Sequence, residues 1–132
     1  MLDRIDLHLE IGPVDPERIR FEDPRAESSE QIRNRVISSR AVQKERYENY
    51  PGLNANSGVP AGIIDWICGL SRPARALLMM SMQKLGLSLR GYHSVIRIAR
   101  TIEDLVGNTE IREAAVAEAL QFRSPDRPFS VD

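Results

Sequence analysis

Residues 86–107 read Gly-Leu-Ser-Leu-Arg-Gly-Tyr-His-Ser-Val-Ile-Arg-Ile-Ala-Arg-Thr-Ile-Glu-Asp-Leu-Val-Gly, and this stretch decides the fold. Ser88 is suited to cap the start of a helix, and Gly107 is suited to end it. Apolar residues recur between them at helical spacing, so the stretch predicts an amphipathic helix packed on a helical core. The residues predicted to be buried are Tyr92, Val95, Ile96, Ala99, Ile102 and Val106.

The opposite side of this helix carries a polar stripe. Its members are Arg90, His93, Arg97, Arg100 and Asp104, and the spacing predicts that they share one exposed side. One interpretation is a solvated face on which Arg100 pairs with Glu103 or Asp104. The other is a phosphate-binding arginine, best placed at Arg90, because a helix start also presents free N–H groups and the positive end of the helix dipole. Both interpretations remain open on spacing alone.

A second, highly charged helix is predicted from Ser28 to about residue 49. Ser28 and Gln31 fit a capping box, in which the two side chains and two backbone N–H groups satisfy one another. Its apolar positions form only a poor stripe, which is typical of a surface helix or of one that leans on a partner.

The remaining helices follow from proline, serine and glycine positions. Pro60 suits the first turn of a short helix that ends near Gly69. Ser71 caps a helix that Gly86 ends, with an apolar stripe along it, and a last helix occupies about 112–123. The predicted fold is all-α, a small bundle of about five helices. The stripe of the Ser71 helix comprises Ala74, Leu77, Leu78, Met82 and Leu85.

The N-terminal region has a different pattern. Apolar and polar residues alternate over 5–11, which predicts a half-buried strand. Nothing later predicts a second strand, and an unpaired strand is unstable in water. We therefore expect residues 1–27 to lack a partner that precedes them and to be poorly ordered alone, 28–123 to be a helical domain and 124–132 to be a tail.

Composition excludes several classes of function. The 132 residues carry a net charge of −1, and no G-x-x-x-x-G-K-[ST] loop is present to bind phosphates. The single cysteine, Cys68, lies in an apolar run and is expected to be a buried structural thiol. His8 and His93 have no ligand pattern around them, so no metal site is expected. No apolar stretch is long enough to span a bilayer, and we expect a cytoplasmic protein.

Several motifs resemble those of magnesium-chelatase-related AAA+ ATPases of the ComM and YifB type. Residues 86–93 and 98–105 are similar to their "GLSxRxYxxILRVARTIADL" run, and 118–123 (Glu-Ala-Leu-Gln-Phe-Arg) resemble their "EAIQYR". Residues 2–8 (Leu-Asp-Arg-Ile-Asp-Leu-His) resemble their "LLDRIDLH", and Asn54-Ala55 falls at their "NAQ". The ordered set brackets nearly the whole chain, although residues 47–68 follow the family loosely.

The resemblance implies the helical C-terminal lid of such an ATPase, preceded by the end of its α/β core. It implies that Arg90 is a sensor-2 arginine on the phosphates of its own subunit's ATP. It further implies that Arg4 is an arginine finger toward a neighbouring subunit, with Arg97 and Arg100 as candidates for phosphate or partner contacts. ATP and Mg²⁺ would bind the full-length protein, which would hydrolyse ATP, whereas this chain alone would not.

The implied partners are the AAA+ core in cis, neighbouring subunits of a homo-oligomeric ring and DNA, with no membrane. The implied parent is a DNA-remodelling motor of the branch-migration or competence type. One alternative is the lid of a true magnesium chelatase subunit. Another is a non-catalytic helical interaction or nucleic-acid-binding module that uses the Arg90, Arg97 and Arg100 face.

Overall fold

The computed structural model describes residues 4–17 and 26–123, and the ordered elements within them are helices. No strand forms in these ranges, and the only β pairing there is an isolated parallel bridge between Leu70 and Ile111. The all-α prediction is confirmed. The helices are α1 (Ser29–Arg46), α2 (Ile64–Ile67), α3 (Arg72–Leu85), α4 (Leu89–Val106) and α5 (Glu113–Gln121), with a 3₁₀ turn at Asn56–Gly58.

Capping groups confirm the predicted starts of α1, α3 and α4 and the predicted ends of α3 and α4, whereas α2 begins at Ile64 and not at Pro60. The Ser28 side chain accepts from the Gln31 N–H, and the Gln31 side chain accepts from the Ser28 N–H, which completes the capping box. Helices α3 and α4 end where glycine enables the left-handed conformation, with φ of 63° at Gly86 and 80° at Gly107. The serines that cap α3 and α4 are Ser71 and Ser88.

Helix α4 lies at the centre of the bundle. It packs against α1, α2, α5 and the 3₁₀ turn, and α5 also packs against α3. The core is aliphatic with few aromatic side chains, as the composition predicts. Its largest fully buried apolar side chains include Ile64, Leu78, Ile96, Ile111 and Leu120. Because α4 has neighbours on several sides, it positions most of the domain.

Helix α1 leans on the bundle with only part of its surface. Ser39 and Gln43 are its only buried residues, and both belong to its C-terminal half. Ile32, Val36 and Ile37 remain exposed. The prediction of a surface helix with a poor apolar stripe is confirmed.

The N-terminal segment, residues 4–17, forms no strand. This is expected of residues 5–11, because the described residues contain no strand that offers a row of N–H and C=O groups beside them. One backbone hydrogen bond holds the segment to the bundle, from His8 N to the Phe122 carbonyl oxygen at 2.7 Å. Met1–Asp3, 18–25 and the predicted tail at 124–132 lie outside the described residues, so the predicted boundary near residue 27 stays a prediction. None of the described helices is long and apolar enough to cross a membrane.

Candidate functional site

The first turn of α4 presents Arg90 to solvent. Ser88 caps the helix and accepts a hydrogen bond from Gly91 N at 3.0 Å. Arg90 is exposed and forms no hydrogen bond or ion pair with any residue in 4–17 or 26–123. A guanidinium at the positive end of a helix is well suited to bind an anion, because the N–H groups and the dipole act in the same direction.

Arg123, two residues after the end of α5, packs beside this turn. The Arg123 side chain is only 6% exposed, and its guanidinium packs beside Gly91, where an added Cβ would lie 3.5 Å from it. Arg123 donates to Ser94 Oγ at 3.1 Å and to the Ile5 carbonyl oxygen at 3.3 Å. Ser94 Oγ in turn donates to an Asp6 carboxylate oxygen at 2.6 Å. We call this group the Asp6–Ser94–Arg123 clamp.

The clamp brings Arg4 and Arg90 into one region. Ser94 lies one turn after Arg90, about 6 Å along the helix axis. Arg4 precedes Asp6 by two residues, which is at most about 7 Å of chain. Arg4 is exposed. Two arginines that are far apart in the sequence therefore belong to chain segments that are held together at the first half of α4.

The clamp was not predicted from the sequence. Local patterns mark Arg123 only as the end of a motif and indicate no role for Asp6 or Ser94. The available signal was Gly91, because a glycine inside a helix often marks a place where another group approaches closely. The hydrogen bond between Ser94 and Asp6 spans 88 residues of sequence, and local periodicity contains no information about such a contact.

Arg97 holds a loop rather than projecting freely. It is half-buried, and its Nε and Nη2 donate to the Val59 carbonyl oxygen at 3.3 and 2.8 Å. The loop before α2 is thereby fixed to the middle of α4.

The exposure predicted for Arg100 and Asp104 is wrong, because both residues are buried. Arg100 is 0% exposed and Asp104 is 3% exposed. Arg100 donates to Asp104, to the Cys68 carbonyl oxygen and to the Thr109 carbonyl oxygen, at 3.0, 3.1 and 2.8 Å. It also donates to the carbonyl oxygen of Asn108. A phosphate or partner contact by Arg100 would require all these bonds to break.

Asp104 is the centre of a buried polar network between α4, α1 and the 3₁₀ turn. Its carboxylate accepts from Arg46 Nη1 at 2.9 Å, from Asn56 Nδ2 at 2.9 Å and from Arg100. The Asn56 side chain also accepts from the Tyr47 hydroxyl at 2.6 Å. Burial lowers the pKa of Arg100 below its ordinary value, and Asp104 partly opposes this effect. Burying such charges is costly unless they are fully paired, and here no buried side-chain N or O atom of the described residues lacks a partner.

Glu103 performs a separate structural task at the start of α5. Its carboxylate accepts from the Arg112 backbone N–H at 3.0 Å and from Arg112 Nε at 3.1 Å, and it also accepts from Asn108. Burial acts to raise the pKa of Glu103, but the hydrogen bonds from Arg112 and Asn108 outweigh it and hold the pKa below its ordinary value. Of the two partners considered for Arg100, the structure selects Asp104.

The environments of Cys68, His93 and Val106 can also be compared with their predictions. Cys68 is buried as predicted, and burial raises the pKa of its thiol to about 11. His93 is half-buried with its ring against Tyr92, and no group of three potential metal ligands occurs within the described ranges. Val106 is 64% exposed, so its predicted burial is wrong, because the end of α4 extends past the core.

A five-helix bundle whose central helix presents Arg90, exposed and without a partner among the described residues, in a sequence without a phosphate-binding loop, defines a helical accessory domain. The chain belongs to the family of magnesium chelatase subunit ChlI C-terminal domains, whose family model matches residues 26–123. It is thus a C-terminal lid domain of the magnesium-chelatase-related AAA+ class, of the ComM and YifB type.

Similarity to longer proteins supports this assignment. The chain is 33% identical over 123 residues to the competence protein ComM of Haemophilus influenzae, covering 93% of this chain and 23% of that protein. It is 32% identical over 126 residues to the proteins YifB of Salmonella typhimurium and of Escherichia coli, covering 96% of this chain and 24% of each. The chain spans about a quarter of the length of these relatives.

Proposed function

We propose that this domain is the lid of an ATP-hydrolysing motor and that Arg90 contacts the phosphates of ATP bound by the core of the same subunit. The observation that carries the proposal is the contrast along α4. Arg97 and Arg100 are bonded to the domain itself, whereas Arg90 is exposed and has no partner among the described residues.

The chemistry of this position supports a phosphate contact. A guanidinium stays charged at physiological pH, and its fork matches the oxygens of a phosphate. A charge-assisted hydrogen bond of this kind contributes about 1.5–3 kcal/mol. Because Arg90 belongs to the helix around which the domain packs, a phosphate contact there would draw the whole lid toward the core. Loss of the γ-phosphate would release it.

Arg4 takes the second role, toward ATP in the neighbouring subunit of a homo-oligomeric ring. The Asp6–Ser94–Arg123 clamp supports this role, because it fixes the chain two residues from Arg4 against the helix that carries Arg90. The guanidinium groups of Arg4 and Arg90 are suited to hydrogen-bond the phosphates of ATP. The Mg²⁺ ligands would come from the core, since the described residues offer no cluster of carboxylates.

The proposed full-length protein is a DNA-remodelling motor of the branch-migration or competence type. Similarity to a protein named competence protein ComM supports DNA as the substrate, whereas the family name, magnesium chelatase, supports the lid of a true chelatase as the alternative. The second alternative, an interaction module acting through Arg90, Arg97 and Arg100, loses support because two of its three arginines are bonded internally.

Phosphate release tests the proposal. The purified chain should match the buffer blank with ATP and Mg²⁺, because it has no phosphate-binding loop. A protein that joins this domain to its AAA+ core should turn over ATP and move four-way DNA junctions. Turnover by the chain alone above about 0.1 per minute, retained after repurification, would contradict the lid assignment.

A further inference from the structure

Helix α1 carries five basic residues, and two of them have carboxylate partners. Arg35 pairs with Glu27 at 2.5 Å, and Arg46 pairs with Asp104. Arg33, Arg40 and Lys44 are exposed and form no ion pair in the part of the chain that the structure describes. The acidic residues of the helix, Glu30 and Glu45, do not pair with these three cations.

The three unpaired cations share one side of the helix. Their spacings of seven and four residues are multiples of helical turns, so they point in similar directions. With a rise of about 1.5 Å per residue, Arg33 and Lys44 lie about 16 Å apart along the axis. Ser39 and Gln43, which face the bundle, lie about a quarter of a turn away around the helix. We call Arg33, Arg40 and Lys44 the α1 cation row.

The surroundings of the row make it accessible. Ile37, which is 54% exposed, lies between Arg33 and Arg40. Together with Ala41 and Asn54, it lines an open groove that is bordered by Arg40 and Lys44. Arg40 donates to Gln43 at 3.1 Å, which holds part of its guanidinium but satisfies none of its charge with an anion.

We propose that the α1 cation row binds the phosphate backbone of a nucleic acid. A DNA strand presents one charge about every 3.4 Å, so the row spans about five phosphates of one strand. Because phosphates recur at such short intervals, cations spaced seven and four residues apart on the helix can each lie near a phosphate wherever the helix sits along the strand. An acidic protein surface would instead need carboxylates matched to these particular positions. This inference deepens the proposed DNA-handling function and rests on it.

Fluorescence anisotropy of labelled 30-nucleotide single-stranded and duplex DNA tests the row with the chain itself. Non-specific binding with a Kd between about 10⁻⁶ and 10⁻⁴ M is expected. Three phosphate contacts predict that the affinity falls about 20- to 40-fold between about 50 and 200 mM salt. The variant Arg33→Ala/Arg40→Ala/Lys44→Ala should bind at least about tenfold more weakly and lose most of this salt dependence.

Arg72→Ala is the matched control, because Arg72 is an exposed cation at the start of α3, outside the row. It should bind like the wild type. If the triple variant is poorly folded, the single variant Lys44→Glu, which keeps all other side chains, provides the test. It should also weaken binding. Equal binding by the wild type and Lys44→Glu would overturn the proposal. So would displacement of the DNA by polyglutamate at equal charge concentration, since the row would then be a site for acidic protein.

The ATP assay separates this result from the lid proposal. Loss of DNA binding in the triple variant concerns the row alone, whereas loss of turnover on changing Arg90 concerns the lid contact. An absence of DNA binding by the wild-type chain at about 10⁻⁴ M would contradict the row assignment and leave the Arg90 proposal intact.

Discussion

Replacement of Arg100 by methionine should remove much of the stability of the domain. The change deletes the hydrogen bonds to Asp104 and to the carbonyl oxygens of Cys68, Asn108 and Thr109. Bonds to a charged group contribute about 1.5–3 kcal/mol each, but their sum overstates the loss, because carbonyls can relax toward water. Asp104 keeps its bonds from Arg46 and Asn56, so its charge is not left unpaired.

The expected loss in the free energy of unfolding is about 3–5 kcal/mol, because the carbonyl oxygens of Cys68, Asn108 and Thr109 each lose a charged donor and can only partly relax toward water. Urea denaturation followed by far-ultraviolet circular dichroism measures it. With a slope of about 1–3 kcal/mol per molar urea, the midpoint should fall by about 2 M. Because a small domain has only about 5–15 kcal/mol in total, Arg100→Lys, which keeps the charge without the fork, provides a milder test.

Arg90→Ala is the control in the same assay, and it should change the free energy of unfolding by less than about 0.5 kcal/mol. A loss below about 1 kcal/mol for Arg100→Met would refute the reasoning. It would mean that the buried network contributes little and that the exposed stripe predicted from the sequence describes α4 better.

Three further outcomes follow from the structure. Burial opposes the charge of Glu103, but the hydrogen bonds from Arg112 outweigh it and lower the pKa of Glu103. The charged Glu103 therefore stabilises the fold above the pKa of an unfolded glutamate, and this contribution is lost as the pH falls through the folded pKa. In urea denaturation at a series of pH values, the free energy of unfolding of Glu103→Gln should fall less steeply toward acid pH than that of the wild type, and equal slopes would contradict the assignment. Burial raises the pKa of Cys68 to about 11, so iodoacetamide at pH 8 should label the native protein far more slowly than the urea-unfolded protein, and equal rates would show an accessible thiol. Arg123→Ala should accelerate hydrogen exchange at the His8 amide, because the clamp no longer holds its segment, whereas unchanged exchange would mean that the clamp does not fix it.

Local chemistry made much of the fold predictable. Capping serines and terminal glycines act through their own and nearby backbone groups, so Ser28, Ser71, Ser88, Gly86 and Gly107 were assigned from sequence alone. The buried stripes of α3 and α4 follow from helical periodicity in the same way, except at Val106, where the helix extends beyond its neighbours.

The wrongly predicted exposure of Arg100 and Asp104 has one physical cause. Periodicity assigns polar residues to solvent, but α4 has neighbours on several sides, and α1 with the 3₁₀ turn covers its C-terminal polar face. Arg100 and Asp104 are buried there because Arg46 and Asn56, from distant parts of the chain, complete their pairing. Only the Arg100–Asp104 spacing of four residues was visible locally.

The candidate site was predictable only in part. The exposure of Arg90 agrees with its place near the helix start, on the side away from the apolar stripe. The clamp depends on tertiary contacts between residues at opposite ends of the chain, and helical periodicity cannot detect such contacts. Alternation over 5–11 describes a tendency, and no strand forms there because a strand also needs a neighbouring strand to pair with, as expected for this segment alone.

ATP turnover by Arg90→Ala in the ATPase formed by this domain and its core tests the central claim most directly. The control is Arg72→Ala, which removes an equally exposed arginine from the start of α3. If Arg90 contacts phosphate, turnover should fall at least about tenfold while the stability of the lid is unchanged, which corresponds to the loss of one charge-assisted contact. Turnover equal to that of the control would contradict the claim and show that Arg90 is only a solvated side chain.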